Sequence, residues 1–157
     1  MALNITATIV VSKETLDWTD FEVVGEDDIA DGDAEAGANI SVPWSQTGNN
    51  LTVTINVQHT ARVESDTVQT AALLQHEQGH LDLGILVARR MKRDILAGTS
   101  PNNALATHNP RLAAANVAYD NSTNHGQNTQ NQGTWNTALS TALAAAVTPA
   151  TVNGSTL

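Results

Sequence analysis

Hydrophobic and polar positions change rhythm once along this chain, from a period of two before residue 64 to a period near 3.6 after it. Leu3, Ile5, Ala7, Ile9 and Val11 alternate with polar or small residues, and Leu51, Val53, Ile55, Val57, Ala61 and Val63 do so more clearly. Successive side chains of a strand point to opposite faces, so both segments predict strands with one buried face. Shorter strands are predicted at 21–24 and 38–42, with Pro43 ending the latter or placing it at an edge. Between them, the acidic run from Gly25 to Glu35 lacks the spacing of a calcium loop, which needs a glutamate well after its glycine. It reads as a solvated loop.

The longer period begins with one extended helix. Asp66 can cap it while Gln69 reaches back, and it ends near Gly98 with Pro101 just beyond. Past Pro101 the chain is rich in Ala, Asn, Thr and Gln, with helical patterns at 112–119 and 135–147 separated by the polar, turn-prone stretch 121–126. Residues 148–157, with Pro149 and Gly154, predict a flexible C-terminal tail. The fold class expected is α+β: an N-terminal antiparallel sheet packed on the long helix, followed by C-terminal helices, in a single domain over 1–147. The strand 51–63 runs directly into the long helix. It, or a neighbour, is expected to offer an edge on which an extended peptide could pair.

Composition narrows the partners. Aromatic residues make up 3% of the chain against 41% hydrophobic, so the core must be built from Ala, Val, Leu and Ile. A formal charge of −9 opposes phosphate backbones and anionic membranes, which argues against nucleic acid. The basic run Arg89, Arg90, Lys92 and Arg93 falls late in the helix, where cations offset the negative end of its dipole. Cysteine is absent, so any metal must be held by imidazole and oxygen ligands. No run is long and apolar enough for membrane insertion, and no signal peptide is visible at the N-terminus.

Within the long helix, His76-Glu77-Gln78-Gly79-His80 reads HExxH. Two histidines four apart project from one helical face and can reach one Zn²⁺, while the intervening carboxylate is free to take a proton from a zinc-bound water. Ala72, Leu73, Leu83, Gly84 and Val87 share that face, so the imidazoles emerge from an apolar surface. Gly79 is a poor helix former in this place, which another segment passing close to the site would explain.

A catalytic zinc needs a third protein ligand. No glutamate follows Glu77, and the HExxHxxGxxH pattern is missing because Gly84 falls one position late. Asp82 points away from the histidine face, and Asp94 lies about 21 Å along the helix from His80. The candidates are His125, Asp120, His108 and His59. Of these, His59 on the inward face of its strand reads as a core histidine and His108 as a loop residue, whereas Asp120 and His125 share one polar segment beginning at Tyr119.

These motifs resemble a bacterial HExxH domain family of unknown function classed as secreted zinc-dependent proteases. Its helix reads HEQxHxD, matched from His76 to Asp82, and its later YDxxTxHG is matched at Tyr119, Asp120, Thr123, His125 and Gly126. A following QxxW is matched by Gln132 and Trp135, and an early WxDF by Trp18, Asp20 and Phe21. The likeness spans residue 16 to about 145; its members carry an export signal, which this sequence lacks, and its C-terminal part here is poor in charge.

The resemblance implies a zincin-like metallopeptidase, exported to the periplasm or secreted, acting on a peptide or protein substrate. With it, His76, His80 and His125 are expected to hold Zn²⁺, Asp120 being the other choice for the third position. Glu77 would serve as general base and Tyr119 as donor to the oxyanion. Asp120 and Asp82 would hydrogen-bond the ligand imidazoles and fix their tautomers. Trp18 and Trp135 are expected in the core. The competing expectation is a non-catalytic binding or assembly module in which a fourth protein ligand closes a structural zinc site.

Overall fold

The segment with the clearest alternation forms the longest strand of the computed structural model, which describes residues 3–30 and 32–157. This strand, β5 (Asn50–Glu64), buries Leu51, Val53, Ile55, Val57, Ala61 and Val63 on one face. It is flanked by β1 (Asn4–Val11), β2 (Glu22–Val24), β3 (Ala34–Ser41) and β4 (Trp44–Thr47). β3 pairs with residues 56–63 of β5, overlapping the partners of both β1 and β2. A residue has one neighbour on each side, so β1 and β2 lie along one side of β5 and β3 and β4 along the other. Asp31, part of the acidic run, lies outside the described residues.

The domain is α+β, with this sheet followed by three helices. The sheet is not the antiparallel one expected, because β1 and β2 run parallel to β5 and only β3 and β4 oppose it. Alternation of apolar residues has no direction, so it reports the buried face and nothing about strand polarity. Nor is β5 an edge, being covered on both sides. The open edges belong to its neighbours, among them β3, which pairs with β5 alone among the described residues.

Residues 65–70 tie back to the sheet before the first helix starts. Ser65 donates its amide to the Val24 carbonyl and Thr67 its hydroxyl to that of Asp33. These anchors move the expected start from Asp66 to α1 (Ala71–Leu96), which Thr70 caps by accepting from the Leu73 amide at 3.1 Å. α1 is the axis of the core: Leu81, Leu83, Leu86, Val87, Ala88, Met91 and Ile95 are wholly buried between the sheet and the remaining helices. It approaches β3 so closely that a Cβ on Gly84 would collide with the Cβ of Ala38.

Ser100 caps α2 (Pro101–Thr123), which is far longer than the expected 112–119 and contains Pro110 in its interior. It therefore carries His108, expected in a loop, and Asp120, which lay beyond the expected helix. α3 (Thr129–Ala144) follows, starting earlier than expected and burying Gln132, Trp135, Leu139 and Ala142. Trp135 lies in the core, as expected, whereas Trp18 is only half-buried, packing against Phe21 with ring centroids 4.8 Å apart. The expected flexible tail carries a hairpin instead, β6 (Thr151–Val152) and β7 (Ser155–Thr156), with Val152 and Leu157 buried. Asn153 and Gly154 turn it with φ of 46° and 84°, the left-handed pair that a tight hairpin requires.

Candidate metal centre

Four residues apart on α1, His76 and His80 emerge together, 2% and 7% exposed. From α2, Asp120 brings Oδ1 to 3.1 Å from His76 Nε2 and 3.0 Å from His80 Nε2. These three residues form a buried group able to hold a metal ion, their ligand atoms all within 4.8 Å of one another. Atoms sharing a zinc at about 2.0–2.1 Å in tetrahedral geometry stand about 3.3 Å apart, close to the spacing here.

The far nitrogens decide the chemistry of the near ones. His76 Nδ1 donates to Gln132 Oε1 at 3.1 Å, and His80 Nδ1 donates to Asn116 Oδ1 at 3.0 Å. The Gln132 amide is held in this orientation because its Nε2 donates to the Tyr119 hydroxyl and to Asn136 Oδ1. A neutral imidazole protonated at Nδ1 presents a lone pair at Nε2. Two lone pairs and a carboxylate then converge on one space, an arrangement that calls for a cation or for protons between them. Burial resists ionisation of Asp120, yet the two imidazoles outweigh it and hold the carboxyl well below its ordinary range. For His80, burial opposes the charged form while Asp120 carries the net shift upward.

Beneath the histidines lies Tyr119, fully buried, its ring stacked on His76 at 4.8 Å and edge-on to His80 at 4.9 Å. Its hydroxyl donates to the His76 carbonyl at 3.0 Å, and burial pushes its pKa up. The sequence made it a donor to the reacting group. The structure corrects this, since the hydroxyl is committed below the histidines and Tyr119 does not line the cleft above them.

The group that could hold a metal brings Asp120 to the two histidines, and not His125 as expected. α2 ends through three consecutive left-handed residues, Asn124, His125 and Gly126, with φ of 49°, 50° and 81°. This turn seats Gly126 against His76, where a Cβ would lie 2.9 Å from the His76 Cβ, and leaves the His125 side chain 43% exposed at the rim. Its Nδ1 stands 3.8 Å from Asp120 Oδ1. Asp82, expected to orient a ligand imidazole, instead accepts from Gln78 Nε2 at 2.7 Å, while Gln78 also binds the backbone at Glu14 and Leu16. Burial raises the Asp82 pKa against that bond. The remaining candidates are elsewhere: His108 Nε2 meets Asp94 at 2.9 Å, and His59 Nδ1 meets the Ser12 hydroxyl at 2.9 Å.

Glu77, 2% exposed, lies beside this group, and its Oε2 has no hydrogen-bond partner. Burial raises its pKa to about 8, against the pull of His80 and of the Ala36 backbone amide on β3. A cleft of about 570 Å³ opens over the site, lined by His76, Glu77, His80 and Asp120 and along one side by residues 33–36 at the open edge of β3. Asn116 and Gln132 had no assigned role in the sequence. The signal for Asn116 was its spacing of four before Asp120, which matters only once α2 is known to run through both.

Compared with known proteins, the chain matches no family model, no curated sequence and no solved structure.

Proposed function

We propose that this protein is a zincin-like, zinc-dependent metallopeptidase in which His76, His80 and Asp120 hold the metal and Glu77 is the general base. The observation that carries the reading is Glu77: a carboxylate in an apolar setting, one oxygen unpartnered, beside three converging acceptors and open to a cleft. A stabilising role would leave that oxygen paired, because an unpaired buried acceptor costs about 1–3 kcal/mol. Zinc bound there would act as a Lewis acid and lower the pKa of a water toward neutrality. Glu77 would accept a proton from the attacking water and return it to the leaving amine, a role suited to a carboxyl raised toward neutral pH. Asp120 contributes negative charge as well as a ligand atom. Gln132 and Asn116 hold both imidazoles in the tautomer that binds metal.

An extended peptide would lie along the open edge of β3, adding a strand by backbone hydrogen bonds. The Ala36 amide, directed at Glu77 from this edge, supports the placement of a scissile bond near the carboxylate. Export, and a peptide or protein as substrate, belong to this reading.

The alternative is a non-catalytic module with zinc closed off by a fourth protein ligand. His108 cannot supply it, since its Nε2 is bound to Asp94, 14 residues further up α1 than His80. Zinc-loaded wild type and Glu77→Gln decide between the readings when incubated with a mixed peptide library and followed by mass spectrometry. The expected result is cleavage that falls by at least a hundredfold in Glu77→Gln at unchanged zinc content. Zinc bound at one equivalent with no cleavage by wild type would leave the module.

A further inference from the structure

Arg90 is an anomaly at the other end of α1. It is 9% exposed, its Nε is buried without a hydrogen-bond partner, and no ion pair reaches it among the described residues. A buried N–H donor with no acceptor is unfavourable, because it has left water and met nothing in return. Its neighbours do not fill the gap. Asp94 attracts Arg90 but gives Oδ1 to Arg93 and Oδ2 to His108, while Arg93 and Arg111 add repulsion. Arg89 is satisfied by the Leu143 carbonyl at 2.6 Å, where it closes the end of α3, and Arg111 by the Leu157 carbonyl at 3.2 Å.

Arg90 lines a cleft of about 630 Å³ between α1, Ile9 of β1 and residues 143–148 after α3. Arg89, Lys92 and Arg93 line it too, and no acidic residue does, in a chain of formal charge −9. Its mouth is aliphatic, with Leu96 and Val147 47% and 73% exposed. Helix-end electrostatics explain Arg89, which caps the Leu143 carbonyl, but not a neighbour whose buried Nε meets no acceptor.

We propose that this cleft binds a phosphate group, with Arg90 as its buried donor and Lys92 and Arg93 adding charge at the rim. The planar, five-donor guanidinium fits phosphate oxygens, and several converging cations suit a dianion better than a single carboxylate. The phosphate comes either free, as inorganic or small organic phosphate, or as the headgroup of an anionic phospholipid whose chains would meet Leu96 and Val147. This inference stands apart from the metal chemistry.

Thermal unfolding in sodium phosphate against sodium chloride of equal ionic strength tests it, on wild type, Arg90→Gln and Lys92→Gln. Each is run both zinc-loaded and metal-free. In parallel, the same proteins are sedimented with phosphatidylcholine vesicles containing or lacking phosphatidylglycerol. A saturable rise in Tm, equal with and without zinc and at least tenfold weaker in phosphate affinity for Arg90→Gln, supports the site and a free phosphate. Sedimentation with phosphatidylglycerol vesicles alone, abolished in Arg90→Gln, supports it and assigns the lipid. Should Arg90→Gln fail to fold, Lys92→Gln must weaken either response at least threefold. The proposal is overturned by the absence of both responses, by responses unchanged in these variants, or by a phosphate response confined to the zinc-loaded protein.

Discussion

Gly79 and Tyr119 occupy one another's space: a Cβ on Gly79 would collide with the Tyr119 hydroxyl and stand 2.5 Å from Cζ. The absence of a side chain on α1 therefore lets a tyrosine from α2 pass directly under both histidines. In an exposed helix, Gly→Ala stabilises by about 1 kcal/mol. Here the sign reverses. Gly79→Ala is expected to destabilise the protein by about 1–3 kcal/mol through overpacking and to weaken metal binding as Tyr119 is displaced. Urea unfolding and a zinc titration measure the two effects, and an alanine variant more stable than wild type would contradict the packing described.

Asp120 and His125 are separated by metal content. With Asp120 the third ligand, Asp120→Ala purified without added metal is expected to lose its zinc, whereas His125→Ala keeps about one equivalent. Elemental analysis reads both, and loss in His125→Ala alone would reverse the assignment.

Gln132 acts through His76. Gln132→Ala removes no ligand but frees Nδ1, and the expected outcome is metal affinity lower by about 10–100-fold with the fold retained. Competition with a chromophoric chelator gives the affinity; near-ultraviolet circular dichroism confirms the fold. Unchanged affinity would mean that the tautomer is fixed without the amide.

Asp94 links stability to pH. Burial pushes its carboxyl up, but Arg93 and His108 outweigh burial and leave the pKa below its ordinary value. A carboxylate depressed in the folded state stabilises fully above its unfolded pKa near 4 and loses that contribution as pH falls through the folded value. Asp94→Asn should therefore be less stable than wild type at pH 7, with the gap closing below about pH 4. Denaturant midpoints at both pH values test this, and a gap that widens in acid would refute the sign.

Much of this site was legible because HExxH is a statement about one helix, and α1 needs no tertiary information to put His76 and His80 on one face. The alternation of Leu51 to Val63 likewise reported a buried strand face, though not the parallel direction of β1 and β2. Legibility failed where helices carry little amphipathic contrast. α2 is built of Ala, Asn and Thr with Pro110 inside, so its continuity through Asp120 was hidden, and with it the pairing of Asn116 and Asp120 one turn apart. The family resemblance pointed to His125 as a ligand, but the left-handed turn after Thr123 carries it to the rim. The closing hairpin had a readable signal in Asn153-Gly154, passed over beside Pro149.

The sheet has a consequence for the order of assembly. β1, β2, β3 and β4 each pair with β5 and, among the described residues, with no other strand. As the chain is synthesised, nothing made before Asn50 has a native strand partner, and the Asn4↔Asn50 register must close a long loop before it is rewarded. The chain up to Asn49 should thus remain without stable sheet when made alone. Folding would wait for β5, which draws in four strands and delivers the start of α1 in one continuous stretch.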